Sequence, residues 1–512
     1  MSESSTNIEH KTEAVIRHAL FGRRKILTSA DAITADNVVD VVRDAYITHL
    51  MNKGEIDYLY NYYKGKQPIL NKVTTVRENI NNIVTVNRAN EIVSFKVGYQ
   101  CGNPMQYTAS TNREGISKDI ELLNNLMNYE NKANKDKDLI EWQMICGTAY
   151  RCILPDLVQN NEEDEAPFEI NTLRPSHTFV IYSNKIGEKP LAGVTYWADS
   201  KDKEQQTGDF EVGSLYGNVF AVYTADSYFE LRGEAISNFI DGVAGQANPL
   251  GMIPIIEYPA NNARLGAFEI VIDLLDALSL AESERLDSIE QFVDSFIKFV
   301  NCDINEKEFE RFKELGAIKV SSHEGKNADV DLVSKELNQT QTQTYVDDLY
   351  KTILTICGVP SQGNSDTSDS SNNGAMLVKN GWSSAETRAK DLQIIFEASE
   401  REMLRVVLKI LRDKNILDLK VSDIQLVSPR RNYEDIQGKV QALTTLLGCK
   451  LVAPEDAYSA SGLFTDPERA CANGMAWYNE QLKQYDIEDV GDEDKADVSD
   501  SGQGTDENTE LS

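Results

Sequence analysis

Acidic side chains along one predicted helix are the residues of this sequence that could most readily do chemistry. Between residues 266 and 299 they include Asp273, Asp276, Glu282, Glu284, Asp287, Glu290 and Asp294. A two-metal site for phosphoryl transfer needs several carboxylates that converge from different elements. These carboxylates instead follow one helix, away from its apolar stripe, which is the pattern of a solvated helix face. A metal-dependent phosphoryl-transfer or hydrolytic enzyme is therefore the alternative interpretation and not the favoured one.

The motifs that bind phosphates, metals or acyl groups are missing from the sequence. It contains no GxxxxGK[ST] or GxGxxG phosphate-binding loop, no HExxH zinc motif and no GxSxG nucleophile motif. Five histidines lack a partner at metal-ligand spacing: His10, His18, His49, His177 and His323. We therefore predict that the chain is not an enzyme and has no catalytic residue, no metal ligand and no cofactor.

The composition restricts the partners of the chain. Its 512 residues carry 82 acids against 51 bases, a net charge of −31, which argues against non-specific gripping of nucleic acid and against docking on anionic lipid. The seven cysteines include no CxxC pair, so reduced thiols are expected. The sequence shows no N-terminal signal core and no apolar run of about 20 residues. We expect a soluble intracellular protein without a membrane partner.

The helix that carries the acids is long and one-sided. Its apolar side chains recur every three or four residues, with one interruption at Glu282. They are Val271, Leu275, Leu278, Leu286, Ile289, Val293 and Phe296. No glycine or proline lies between Ala267 and Phe299, so one continuous helix over residues 266–299 is predicted. Since the apolar stripe must be buried, we expect a neighbouring helix or another copy of the chain to cover it.

Two regions of different pattern precede this helix. After a loose arm over residues 1–35, residues 36–147 have a helical pattern that includes one helix from Val76 to Tyr99. From residue 147 to residue 259, short β-rich pieces alternate with turn residues. The predicted strands are Ala149–Leu154, Phe168–Leu173, Thr178–Tyr182, Gly193–Trp197, Val219–Thr224 and Tyr228–Leu231.

Helices return after the acidic helix. A compact α+β excursion over residues 300–335 leads to a helix over residues 337–357, which ends at Gly358 and Pro360. Residues 361–373 contain no apolar side chain and are predicted to be a mobile loop. The remaining predicted helices cover residues 374–413, 433–448, 454–461 and 467–484. The tail from Asp486 holds 11 acids and one lysine and is predicted to be disordered.

The order of these elements resembles the portal proteins of tailed bacteriophages, in the branch of long-tailed phages of Gram-positive hosts. The resemblance covers roughly residues 40 to 480. It depends on the patches Tyr62–Gly65, Asn90–Val93, Gly98-Tyr99, Gly102–Pro104, Pro254–Pro259, Gly266–Glu269, Asp273–Ala277, Phe292–Phe296 and Asn373–Leu377. Asn373 is a departure, because the family more often has serine before that glycine.

The resemblance implies an α+β, mainly helical fold with long stem and tunnel helices, a β-rich wing part and a small α+β clip, which assembles as a ring. The implied regions are a flexible N-terminal arm (1–35), a wing (36–260), stem helices (266–299 and 337–357), a clip (300–335), a tunnel loop (361–373), a long tunnel-side helix (374–413), a helical crown (430–485) and an acidic disordered tail (486–512).

The resemblance also implies a function. Portal proteins form dodecameric rings at one capsid vertex, through which double-stranded DNA is packaged and ejected. The implied partners are further copies of the chain, the packaging motor (terminase), the major capsid and scaffolding proteins, and tail adaptor proteins. Assembly would take place in the host cytoplasm and the mature protein would belong to the virion. Another ring or connector protein of the virion is a further alternative.

Three groups of residues are candidates for this function. An acidic wall repels DNA over about 8 Å at physiological salt, so the first group, expected to line the channel, is Glu282, Asp287, Glu290 and Asp294. The tunnel-loop group is Ser361, Gly363, Asn364, Ser365, Asp366, Ser368, Ser370, Asn372 and Asn373. The group expected to bind partners at the clip is Lys307, Arg311, Lys313, Lys319 and Lys326.

Overall fold

The computed structural model describes most of the chain and divides it into two compact units. The described residues are 22–74, 80–110, 115–156, 165–198, 218–233, 245–293, 296–300, 329–333, 339–360, 381–428, 436–449, 451–464 and 467–489. The first unit is Met1–Asn432 and the second is Tyr433–Ser512. The fold is α+β and mainly helical, as the sequence predicts.

Four helices form the first part of the first unit. They are α1 (Val38–Tyr63), α2 (Arg88–Gln100), α3 (Ile116–Tyr129) and α4 (Lys132–Cys146). Helix α3 shows why they form: its buried residues Ile116, Ile120, Leu123 and Met127 recur every three or four positions and so share one face. Helix α4 ends where Gly147 adopts a left-handed conformation with φ 77°, which a glycine reaches without steric cost.

The β-rich region forms as the sequence predicts. Its strands are β3 (Thr148–Pro155), β4 (Phe168–Leu173), β5 (Thr178–Ser183), β6 (Pro190–Ala198), β7 (Asn218–Thr224), β8 (Ser227–Gly233), β9 (Gln246–Ala247) and β10 (Ile255–Pro259). All six predicted strands are thereby confirmed. Two further strands, β1 (Ile26–Thr28) and β2 (Gln106–Ala109), precede them.

All of these strands except β2 build two sheets that pack against different helices. A six-stranded sheet has the order β1-β5-β6-β7-β8-β9, and a three-stranded sheet has the order β10-β3-β4. Helix α1 covers the larger sheet, where Val42 and Tyr46 join Phe179 and Phe220 in one apolar cluster. The smaller sheet contributes Phe168 and Tyr258 to the main core, which also includes residues of α2, α3 and α4.

The end of the predicted N-terminal arm is not loose. Residues 26–28 form β1, which pairs in parallel with β5 through the register Ile26 to Ile181. Ile26 and Arg23 are buried. The prediction of a flexible arm is therefore wrong for residues 22–35, because a short parallel strand with one buried apolar side chain gives too weak a pattern to be read from the sequence. Residues 1–21 lie outside the described residues.

The helix predicted from Val76 to Tyr99 is much shorter in the structure. Helix α2 begins only at Arg88, and residues 80–87 are neither helix nor sheet strand. The side chain of Asn87 accepts a hydrogen bond from the Asn90 backbone N–H and so caps the helix. The apolar residues Ile80, Ile83, Val84 and Val86 fit a helical period, but in the structure the segment instead runs alongside another helix and donates hydrogen bonds to its side chains.

The acidic helix is also shorter than predicted and is followed by a strand. A 3-10 turn (Glu269–Val271) leads into α5 (Ile272–Val293), and β11 (Phe296–Val300) then pairs antiparallel with β12 (Asp329–Val333). The prediction of one helix to residue 299 is wrong at this end. Phe-Ile-Lys-Phe-Val combines aromatic and β-branched residues, which favour a strand once a partner strand is available.

Two more long helices belong to the described part of the first unit. They are α6 (Gln339–Cys357) and α7 (Trp382–Asp413), and a strand β13 (Ile424–Val427) pairs with β2. Gly358 ends α6 with φ 68°, and Gly381 precedes α7 with φ 82°. The C-terminal half of α7 is embedded in the main core through Met403, Leu404, Val407 and Leu411, among others.

The second unit is helical over its described residues. Its helices are α8 (Ile436–Gly448), α9 (Pro454–Ser461) and α10 (Pro467–Asp489). Helix α10 continues through the first four residues of the predicted disordered tail, and residues 490–512 lie outside the described residues. Among the described residues of the whole chain, no helix has the length and apolar character needed to cross a bilayer.

Candidate functional site

Helix α5 places its carboxylates in different environments. Asp273, Glu284 and Glu290 are exposed, and the Glu282 side chain retains 28% of its accessible surface. Asp287 is buried, with 6% of its surface exposed. Asp294 lies outside the described residues. The four channel-lining candidates therefore do not share one exposed surface in the single chain.

Asp287 is held by two residues from the connection between α1 and α2. Its Oδ2 lies 2.5 Å from Lys72 Nζ, and its Oδ1 accepts a hydrogen bond of 2.7 Å from the backbone N–H of Asn82. The Asn82 side-chain amide donates a further bond of 3.1 Å to Oδ1. Burial acts to raise the pKa of Asp287, but the hydrogen bonds from Lys72 and Asn82 outweigh it and the pKa lies below its ordinary value.

The other described candidates on α5, Glu282 and Glu290, have fewer partners. Glu282 faces Arg285 at 3.8 Å, one turn along the helix, and Glu290 accepts a bond of 2.6 Å from the Asn82 side-chain amide. Exposed pairs of this kind contribute little to stability. Glu282 and Glu290 are thus accessible to solvent. Accessibility is what their expected role requires, which is to repel DNA in a channel. Their orientation toward a channel stays a prediction.

The apolar stripe of α5 is covered along only part of its length. Leu275 and Leu278 are buried in the main core, and α6 packs against this helix. Further along, Leu286 and Ile289 keep 43% and 39% of their surface exposed. The single chain therefore leaves two large apolar side chains of the stripe in contact with water.

Two of the three groups of candidates lie outside the described residues. These are the tunnel-loop group, Ser361 to Asn373, and the clip group, Lys307 to Lys326. The structure describes the residues on either side of 361–380, at the end of α6 and the start of α7. There the Arg388 guanidinium donates a hydrogen bond to the carbonyl of Ile356, at the end of α6, and its side chain lies against Gly358.

A buried group of charges joins α7 to the rest of the first unit. Glu400 Oε1 lies 2.8 Å from Lys132 Nζ, and Glu400 Oε2 lies 3.5 Å from Arg151 Nη1. Asp136 pairs with both cations at 2.6 Å. Two acids and two bases make this cluster neutral, as a buried group of charges must be if it is not to be very costly. It ties together α4, β3 and α7.

Two tyrosines complete the cluster. Tyr107 from β2 and Tyr258 from β10 each donate a hydrogen bond of 2.8 Å to Glu400. Burial acts to raise the pKa of Glu400, but Lys132 and Arg151 outweigh it and hold the pKa below its usual value. Burial raises the pKa of both tyrosines, and the adjacent carboxylate raises it further. Glu400 is therefore ionised and fully partnered.

A second buried group of charges joins the N-terminal segment to the start of α5. Arg23 lies 2.6 Å from Glu269 and 3.0 Å from Glu55 of α1. The Glu269 carboxylate also accepts a bond of 2.8 Å from the Gly266 backbone N–H. Burial raises the pKa of Glu269 above its ordinary value, and Arg23 opposes that shift. One arginine thus connects the N-terminal segment, α1 and the entrance to α5.

The sequence analysis missed the partners that fix these acids. The sequence pattern did not indicate that Lys72 and Asn82 bind Asp287, because these contacts join residues more than 200 positions apart. Glu400 could have been found, since it stands among buried positions of α7 such as Phe396, Met403 and Val407. A charge at an apolar position of a helix indicates a buried partner. Over the described residues, no group of three or more His, Cys, Asp or Glu side chains could hold a metal ion.

Comparisons with known proteins give one family. The family model described as "Phage portal protein, SPP1 Gp6-like" matches residues 46–495. A comparison with curated proteins gives no significant match. Among solved structures, the chain is similar to one in "Neck of empty GTA particle computed with C6 symmetry", with 11% identity and a TM-score of 0.40, over 73% of this chain and 90% of that one. A likeness of this size supports no conclusion about the present chain.

Proposed function

Because this chain belongs to the SPP1 Gp6-like family of phage portal proteins, we propose that it forms a dodecameric ring at one vertex of a phage capsid. The ring is the channel for packaging and ejection of double-stranded DNA. The observation that carries this proposal is the family match, which extends from α1 to the end of α10. The resemblance read from the sequence is thereby confirmed for the family, and the branch of Gram-positive hosts stays a prediction.

The proposal includes the partners of the ring. The packaging motor (terminase) and later the tail adaptor proteins dock on the clip, where the basic residues Lys307 to Lys326 are the candidate contacts. The major capsid and scaffolding proteins are further partners of the ring. The ring assembles in the host cytoplasm and ends in the virion. Members of this family are generally structural proteins, which favours a channel over the alternative of a metal-dependent enzyme.

The half-covered stripe of α5 supports assembly with further copies. Leu286 and Ile289 continue the apolar line of Leu275 and Leu278 but face water in the single chain. Large apolar side chains in a row along a helix are usually covered, because their exposure costs about 25 cal/mol per Å². We propose that a neighbouring copy in the ring covers them.

The exposed acids of α5 support a channel that does not bind its cargo. DNA binds protein through lysine and arginine, which displace the counterions around the phosphates. Glu282 and Glu290 present the opposite charge, and the whole chain carries −31. A wall of this sign lets a polyanion pass without adhesion. Asp287 contributes less to such a wall than its position in the sequence suggests, since its charge is neutralised by Lys72.

Imaging and mass determination of the purified protein test the ring. We expect native mass spectrometry to find closed oligomers and negative-stain images to show particles with a central hole. A compact monomer under all conditions of salt and concentration would contradict the proposal. A closed ring that is absent from purified virions would favour another ring protein of the assembly pathway instead.

Charge reversal tests the channel wall. We expect the double variant Glu282→Lys/Glu290→Lys to form rings and to package less DNA, because lysine side chains on the wall bind the phosphates. The neutral pair Glu282→Gln/Glu290→Gln separates charge from side-chain contacts. A matched control is Glu121→Lys/Asp138→Lys, which makes the same change at exposed positions of α3 and α4. Equal DNA filling in the first and third variants refutes the idea.

A further inference from the structure

A segment of the wing that is neither helix nor strand lies along α5, and its backbone N–H groups donate hydrogen bonds to side chains of that helix. We call residues 80–87 the docked segment. The N–H of Val86 donates to Ser279 Oγ at 3.3 Å, the N–H of Val84 to Ser283 Oγ at 3.0 Å, and the N–H of Asn82 to Asp287 Oδ1 at 2.7 Å. Every second residue of the segment thus meets every fourth residue of the helix.

The two repeats match in length. Two residues of extended chain advance about 6.6 Å, and four residues of an α-helix advance about 6.0 Å. The docked segment therefore stays in step with the stripe formed by Ser279, Ser283 and Asp287 for three successive bonds. Chain direction is opposite in the two elements, since 86, 84 and 82 meet 279, 283 and 287 in that order.

The two serines suit a close approach of the backbone. Ser279 and Ser283 have no exposed surface, and each hydroxyl also donates a bond of its own. Ser279 donates to Gln67 Oε1 at 3.2 Å and Ser283 to the carbonyl of Ser279 at 2.8 Å. Both hydroxyls are thereby oriented to accept from the docked segment. A larger side chain at either position would push the segment away from the helix.

Asp287 differs from the serines because it binds both sides of the connection between α1 and α2. It accepts from Asn82 on the docked segment and pairs with Lys72, which precedes it in the chain. Lys72 Nζ also donates to the Asn82 carbonyl at 3.2 Å. Asn81 donates from its side chain to the Lys72 carbonyl at 3.0 Å. One carboxylate on α5 therefore closes a small network around residues 72, 81 and 82.

We infer that Asp287 is a positioning residue: it fastens the docked segment to α5 in one register, so that wing and stem move together when DNA passes. The inference rests on the proposed function for its role in packaging, and on the geometry alone for the fastening. It assigns Asp287 to an intramolecular contact instead of the channel wall.

Hydrogen exchange on the purified full-length protein tests the fastening, whether or not the protein has assembled into a ring. Peptides over residues 80–87 are followed in wild type, Asp287→Ala, Asp287→Asn and Glu284→Ala. Glu284 is a matched control, because it is an exposed acid on the same helix. We expect the Asn82 amide to exchange at least about tenfold faster in Asp287→Ala, because this variant loses the hydrogen bond from that amide to a charged group. Glu284→Ala should leave it unchanged. Equal exchange in all four proteins overturns the inference.

DNA packaging tests the coupling. Asp287→Asn keeps the shape of the side chain and a carbonyl acceptor for Asn82 but loses the charge that pairs with Lys72, so it is the variant expected to fold. We expect it to form rings and to package less DNA than Glu284→Gln. Faster exchange together with normal packaging overturns the positioning role. If the wild-type protein forms no ring, the proposed function fails while the exchange experiment still decides on the fastening.

Discussion

Glu400 lies 2.8 Å from Lys132 in the interior of the first unit, although the two residues are far apart in the chain. Neither side chain reaches solvent to any extent, with 0% and 5% of the side-chain surface exposed. The pair fastens α7 to α4, while the apolar residues that follow Glu400 enter the main core. The N-terminal part of α7, by contrast, has few buried residues. Glu400 therefore marks the point from which this helix is anchored.

Loss of the Glu400 charge should destabilise the first unit. The variant Glu400→Gln leaves Lys132 and Arg151 with only Asp136 as a countercharge. Removing one partner of a buried ion pair costs about 3–5 kcal/mol, which urea denaturation would report as a lower transition midpoint. The control is Glu402→Gln, on the same helix but with 54% of its side chain exposed, for which we expect a change within about 0.5 kcal/mol. Similar losses in both variants would contradict a special role for Glu400.

Loss of Arg23 should produce a pH-dependent defect. In Arg23→Met, Glu55 and Glu269 face each other without their shared cation. The pKa of Glu269, already raised above its ordinary 4.5, rises further. A carboxyl whose folded-state pKa is raised stabilises the fold below its unfolded pKa and loses that contribution as pH rises through the folded pKa. The melting temperature of the variant should therefore fall furthest below wild type at pH 7 to 8.

Melting curves at intervals from about pH 5 to about pH 8 measure this effect. Arg43→Met is a suitable control, since Arg43 forms an exposed pair with Asp40 on α1. We expect its deficit to be small at every pH. A deficit of Arg23→Met that is constant across the range would show that lost packing, and not charge, explains it.

The Asp287 contact should have the opposite pH dependence. Its pKa is held below the ordinary 3.8, so its contribution is present above that value and is lost as pH falls through the folded pKa. At pH 7, Asp287→Asn should be less stable than wild type by about 1.5–3 kcal/mol, the range for hydrogen bonds to charged groups. The difference should shrink below about pH 4. Melting temperatures of the two proteins against pH provide the measurement, and a difference that persists in acid would contradict the assignment.

Gly358 and Arg388 should be coupled. Alanine at Gly358 meets two obstacles: the left-handed φ of 68° and the Arg388 side chain, which occupies the place of its Cβ. Gly381 has a similar φ of 82° but only a distant neighbour, the Pro360 Cα at 3.8 Å. Gly381→Ala should therefore cost about 1–2 kcal/mol from the backbone alone, and Gly358→Ala should cost more.

The double variant Gly358→Ala/Arg388→Ala separates the two causes. If the arginine contributes a clash, the double variant should lose less stability than the sum of the single variants, by at least about 0.5 kcal/mol. Urea denaturation of the four proteins provides the cycle. Additive losses would mean that Arg388 swings aside at no cost.

The sequence by itself determined the elements that have a local cause. Strands such as β7 follow from short runs of β-branched and aromatic residues between turns, and α6 ends where Gly358 supplies a left-handed residue. The order of these elements was sufficient to indicate the portal family. Each of these features depends on neighbours within a few positions, which a single sequence displays.

The tertiary structure alone decided what depends on distant partners. Residues 80–87 have the apolar spacing of a helix, yet their N–H groups bond to Ser279, Ser283 and Asp287 some 200 positions away. The position of Asp287 in the sequence suits a channel wall, but in the structure Lys72 lies beside it and pairs with its charge. Backbone and charged groups bind wherever the folded chain brings a partner. The spacing of side chains in a sequence therefore shows which face of an element is apolar, but not which remote residue completes a hydrogen bond or an ion pair.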